Sequence, residues 1–227
     1  TGPMRRDERE LHLAWQRHVG TGTAAEGWFD TVVGAHRDVG RHYHDVRHVR
    51  WVVQHGRELA ADAGLADELV DRIVAAGFFH DVVYDATADD NEQVSAAMAR
   101  RALTEIGWAA DPVDQVAAMI EATVGHRGSD DRATQVLLAA DLGVLATEPG
   151  RYTDYVRNVR REYHHLDDAT WRAGRAMFVR TMLARPSIFP PGLGLDSWER
   201  RARANLTAEL AAEESLSDGR GADAREP

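Results

Sequence analysis

The sequence predicts an all-α protein, a single-domain helical bundle, and three observations carry that reading. Apolar residues recur at spacings of three and four in segment after segment, the mark of helices with one buried face. No segment alternates apolar and polar residues over a strand's length. Val82-Val83-Tyr84 is the only β-like triplet, too short to build a sheet. The breaks fall at glycines, prolines and Asp/Ser/Thr clusters, which stop and cap helices.

In chain order, Leu11, Leu13, Trp15 and Val19 predict a first helix, broken at Gly20-Thr21-Gly22-Thr23. Trp28, Phe29, Val32 and Val33 predict a second, and Gly34 and Gly40 bracket the next break. Val49, Val52 and Val53 mark a helix running to about Ala63; Gly64 ends it and Asp67 opens the next. That helix, with Leu69, Ile73, Val74 and Gly77-Phe78-Phe79, ends in an adjacent pair, His80-Asp81. A polar loop from Asp85 to Asn91 leads into a helix from Glu92 to Ile106, with Val94, Ala97, Met98 and Leu103 as its apolar stripe. Asp111-Pro112 opens the next, which runs to His126-Arg127-Gly128. The apolar run Val136–Ala140 then terminates in Asp141. Past Pro149-Gly150, two helices follow through Tyr152–Tyr163 and from Asp167 or Asp168 to Leu183, and a last one spans Ser197–Glu214. Residues 1–8 are read as a flexible start, 9–214 as the helical domain and 215–227, without apolar periodicity, as a disordered tail.

Composition narrows the chemistry. A net charge of −10 argues against a broad nucleic-acid or membrane footprint, since both need clustered Lys and Arg. No cysteine is present, so disulfides and thiolate ligands are excluded and a metal must be held by His, Asp, Glu or water. No apolar stretch approaches the roughly 20 residues of a membrane span. The opening Thr-Gly-Pro-Met-Arg-Arg lacks a signal peptide's apolar core, and a cytoplasmic location is expected. Thr1-Gly2-Pro3 before Met4 is compatible with an expression scar.

A His-Asp pair ending a buried segment is costly, because a buried carboxylate needs a partner or a metal. Two other residues sit comparably: His48 early in a helix and Asp141 after a long apolar run. Two imidazoles and two carboxylates make an N/O donor set suited to Mn, Fe, Co, Ni, Zn or Mg, and a water acidified by such an ion is a hydrolytic nucleophile near neutral pH. His44, four residues before His48, shares its helical face and is placed to support it.

At these residues the sequence resembles the HD-domain superfamily of metal-dependent phosphohydrolases. The family pattern of a His, a His-Asp pair and a distant Asp reads here as His48, His80-Asp81 and Asp141. The flanking stretches Arg41-His42-Tyr43-His44, Phe79 to Asp85, Asp90-Asn91-Glu92 and Ala140-Asp141-Leu142 are similar to a bacterial branch of predicted HD phosphohydrolases, and the resemblance covers Gly40 to Ala146. It implies a helical fold and one divalent metal on His48, His80, Asp81 and Asp141, with a second metal left open. Other HD enzymes carry a working acid a few positions after the pair. Here Tyr84 occupies one such position and Asp85 the next, so the acid is Glu92 or Asp85, with Glu92 preferred. His44, Arg41, His126 and Arg127 are the candidates for holding phosphate, the arginines because a guanidinium grips two phosphate oxygens. The expected activity is hydrolysis of a small phosphate ester, a nucleotide first. The alternatives are an HD-type di-iron oxygenase and a non-catalytic, metal-stabilised binding or regulatory protein. Nucleic acid and membrane are not expected partners, and a homodimer is left open.

Overall fold

A computed structural model describes residues 6–126 and 128–223, those from 214 on by backbone alone. Among them are ten α-helices and no strand: α1 (Arg6–His18), α2 (Thr23–His36), α3 (Val46–Asp62), α4 (Asp67–Phe79), α5 (Asn91–Ile106), α6 (Ala110–Glu121), α7 (Arg132–Leu142), α8 (Pro149–Glu162), α9 (Asp168–Ala184) and α10 (Asp196–Asp223). Short 3-10 turns occupy Val124–His126 and Gly143–Ala146. Among the described residues no helix is long and apolar enough to cross a membrane.

Where the sequence reading takes 9–214 as one domain, the chain groups into two compact units, Thr1–Asp141 and Leu142–Pro227. In the first, α3 lies along α4, α5 along α6, and α4 packs on α6 as well; α1 covers α3 and α4, and α2 meets α5. Its core centres on Trp15, whose ring meets Phe78 edge-on at 5.0 Å between centroids and Phe29 at 5.7 Å. Such edge contacts add about 1 kcal/mol each to the burial of the rings. The α3–α4 crossing is close at Gly56, where a Cβ would stand 3.0 Å from Ile73 Cγ2.

In the second unit α10 packs on α9 and on Gly143–Ala146. Asn205 Nδ2 donates to the carbonyls of Leu145 and Thr147, each at 2.9 Å. Arg175 is buried and forked onto Glu209 at 2.8 and 3.1 Å, with Tyr155 and Tyr152 hydroxyls at 3.0 and 3.2 Å.

Several sequence expectations shift. Gly34 does not end α2, which runs on to His36, because an isolated glycine costs a helix only about 1 kcal/mol. Leu13 and Val94 face solvent, 63% and 41% exposed; the buried face of α5 is instead Ser95, Ala96, Ala99, Ala102 and Leu103, small residues that let α6 approach. Asp67 and Asp111 lie inside their helices, with Ala66 and Ala109 at the N-caps. Within the expected flexible start, residues 1–5 lie outside the described residues, but Arg6 already begins α1 and Glu8 is buried against Arg37 at 2.8 Å. The last helix continues past Glu214 to Asp223, through a stretch rich in Ser, Asp and Gly where neither apolar periodicity nor helix propensity predicts it. Residues 224–227 lie outside the described residues.

Candidate metal centre

Two helices and the residues that end a third deliver four donors to one point in the first unit. Asp45 caps α3, its carboxylate accepting the backbone N–H groups of Arg47 and His48. The helix therefore starts just before His48 and holds it in its first turn, 4% exposed. His80 is the C-cap of α4, its backbone N–H on the Ala76 carbonyl. The His80 ring turns back so that Nδ1 donates to the Gly77 carbonyl at 3.0 Å, which leaves Nε2 to take a proton or a cation. Asp81 follows directly, and α7 brings Asp141 one residue before its end.

The donor atoms crowd together. His48 Nε2 lies 3.0 Å from His80 Nε2, 3.2 Å from Asp81 Oδ2 and 3.3 Å from Asp141 Oδ1. His80 Nε2 lies 3.1 Å from Asp81 Oδ2 and 3.6 Å from Asp141 Oδ1. Donors bonded to one divalent ion at about 2.0–2.2 Å stand about 3.0–3.5 Å apart around it, so these four fit such an ion. His48, His80 and Asp141 form a triad whose ligand atoms all lie within 4.8 Å of one another, and Asp81 joins it through the two imidazoles.

The electrostatics agree. Burial works against ionising Asp81, but His80, His44 and the hydrogen bond from His48 outweigh it and hold the carboxyl well below its usual range. Burial likewise opposes Asp141, and His126, His48 and His80 together hold it low. For His48 and His80 burial alone would favour the neutral ring; hydrogen bonds to Asp141 and Asp81 prevail for His48, and the Asp81 charge with bonds to both carboxylates prevails for His80, so both are raised. Two anions thus hold cationic charge between them, and a metal ion replaces that charge with its own.

The surrounding residues divide. His126 is half-buried, and its Nε2 lies 2.6 Å from Asp141 Oδ2, the oxygen turned away from His48. Its φ of 47° is the only left-handed value at a non-glycine among the described residues, a conformation that marks functional sites when other contacts enforce it. His44 precedes α3, so the shared helical face expected for it and His48 does not exist. It sits in the lead-in to the cap, its ring stacked on Tyr84 at 4.1 Å, with Nε2 4.0 Å from Asp81 Oδ2. Arg41 donates to the carbonyls of Asp81 and Val82 at 2.6 and 2.9 Å, so its guanidinium fastens the backbone beside the ligand pair. Arg127 lies outside the described residues.

Of the two candidate acids, Asp85 is exposed and its Oδ1 accepts both the N–H and the hydroxyl of Thr87, while Asn91 brackets the Asp85 backbone at 2.9 and 2.8 Å. It is a turn residue. Glu92 is half-buried in the first turn of α5.

Two neighbours escaped the sequence reading. Trp51, one turn beyond His48, donates its indole N–H to the Ala140 carbonyl at 3.0 Å; the i, i+3 spacing from His48 was the available signal. His36 is 1% exposed, donates Nδ1–H to the Val32 carbonyl at 2.8 Å and lies within the field of Arg41, Asp81 and His80.

Comparison with known proteins gives one match. The model of the HD domain matches residues 45–157, from the cap of α3 into α8, a span that includes His48, His80, Asp81 and Asp141. No curated protein and no solved structure matches the chain. By this match the chain belongs to the HD-domain superfamily.

Proposed function

We propose that the protein is a metal-dependent phosphohydrolase acting on a small phosphate ester, with a nucleotide as the first candidate. The observation that carries this reading is the set of two buried imidazoles and two half-buried carboxylates whose donor atoms lie 3.0–3.6 Å apart. His48 and His80 would supply the nitrogen ligands, Asp81 and Asp141 the anionic ones. An ion held there acts as a Lewis acid toward a phosphoryl oxygen and lowers the pKa of a water. Glu92 accepts the proton of the attacking water, the role for which Asp85 is too engaged in its own turn. His126 orients Asp141 through its outer oxygen and faces the charge that develops on the phosphoryl group, assisted by His44. The net charge of −10 favours a small anion admitted to a local site over a nucleic acid.

The extra imidazoles beside both carboxylates, His126 on Asp141 and His44 near Asp81, are what a two-metal centre would draw on, and they support the di-iron oxygenase as the second reading. Metal analysis of the purified protein and a phosphate-ester panel separate the two. One divalent ion per chain with phosphatase activity is the expected result; two irons per chain with oxygen consumption overturns it. Asp81→Asn and His80→Ala should each lower metal affinity by more than the roughly 10–100-fold typical of residues that only support a ligand, and abolish turnover. Unchanged metal content in both variants refutes the assignment of the site.

A further inference from the structure

Asp141 reaches the centre from the last turn of α7, where an α-helix is least able to fix itself. The last four carbonyls of any α-helix lack a partner within it, and Ala140 falls among them. Its carbonyl accepts the indole N–H of Trp51 at 3.0 Å, a bond spanning 89 residues of sequence. Trp51 stands three residues after His48 on α3, so one helical face carries both a ligand of the ion and the donor that holds the chain at another ligand.

The donor is itself held in place. The Trp51 ring lies flat on the His55 imidazole, centroids 3.7 Å apart and planes 24° from parallel. His55 Nδ1 donates to the Trp51 carbonyl at 2.9 Å, closing the stack onto its own helix. An indole fixed in this way presents its N–H at low entropic cost. The other carboxylate is served alike: Arg41, just before α3, grips the carbonyls of Asp81 and Val82.

We infer that Trp51 is a positioning residue of the metal centre, acting through the Ala140 carbonyl to set Asp141 against His48 and so to set the affinity for the ion. This rests on the metal-site reading above. The test measures binding of Mn2+ and Zn2+ to the full chain at a temperature where every variant is folded, alongside helical content and thermal midpoint. Trp51→Phe removes the N–H and keeps a stacking ring. A second variant carries benzothienylalanine at Trp51, a near-isostere of indole with sulfur in place of N–H. His55→Ala removes the stack and keeps the donor. Both changes at Trp51 should weaken metal binding about tenfold or more while helical content holds, and His55→Ala should weaken it less. Should Trp51→Phe fail to fold, the isostere decides. A wild-type chain that binds neither ion overturns the metal-site reading and this inference with it. A wild-type chain that binds, with both variants within about twofold of it, overturns the role of Trp51 alone.

Discussion

His48 Nε2 and His80 Nε2 face each other at 3.0 Å, with a carboxylate oxygen within 3.3 Å of each. Two bare nitrogen lone pairs at that distance repel, so a proton or a cation belongs between them. Protons and metal therefore compete for one place. The raised imidazole values mean that the ion-free fold gains stability from the protonated rings at low pH and loses it as pH rises through those values. Metal binding must expel the same protons. Affinity should accordingly tighten as pH rises between about 6 and 8, with proton release seen by calorimetry in buffers of different ionisation enthalpy. An affinity that does not change with pH would contradict this.

His126 combines two features that can be separated experimentally: a left-handed backbone and a contact to Asp141 Oδ2. Glycine relieves the first and deletes the second. His126→Gly should leave thermal stability unchanged or slightly higher, by up to about 1 kcal/mol, because the strained φ suits it. Metal affinity or turnover should fall about 10–100-fold. Lost stability with unaltered activity would show that the imidazole is only structural.

His36 makes the fold sensitive to acid. Burial, with Arg41 nearby, pushes its imidazole down to about 3. Above its unfolded value of about 6.5 the ring is neutral in both states and contributes no pH dependence. Below that, the unfolded chain takes a proton that the fold refuses, so stability falls as pH drops from 6.5 toward 3. The loss amounts to about 2 kcal/mol by pH 5, at 1.36 kcal/mol per unit. Denaturant titrations of His36→Leu at pH 7 and pH 5 should show a smaller acid loss than the wild type; an equal loss in both places the effect elsewhere.

Arg175 and Glu209 form a buried, hydrogen-bonded ion pair in the second unit, tied to Tyr152 and Tyr155. Removing one partner leaves the other charge buried and alone. Arg175→Met should cost about 3–5 kcal/mol in denaturant unfolding of the full chain, and Arg175→Met with Glu209→Leu should recover much of it. A double variant as unstable as the single one would mean that lost packing, not the stranded carboxylate, dominates.

Much of this was legible in the sequence. Helical spacing places the helices, and the candidate ligands His80, Asp81 and Asp141 stand where an apolar run ends, a strong local signal. What was not legible depends on contacts between distant segments. Arg41 reads as a free cation until its guanidinium is seen on the carbonyls of Asp81 and Val82. Asp85 reads as a working acid until Thr87 and Asn91 are seen to fold the loop around it. His44 reads as helical until the Asp45 cap starts α3 behind it. Each error comes from counting along the chain where the deciding partner lies across a turn or across the core.

The glycine at the α3–α4 crossing carries a consequence for the centre itself. His48 rides on α3 and His80 ends α4, and at Gly56 those helices come so close that a methyl group would meet Ile73 Cγ2 at 3.0 Å. Each helix carries one imidazole, so their spacing is one constraint on the gap between the rings. A residue with no donor atom and no place in the ligand set thus bears on the choice among Mg, Zn and Mn: widening the crossing with alanine would tilt that choice toward the larger ion.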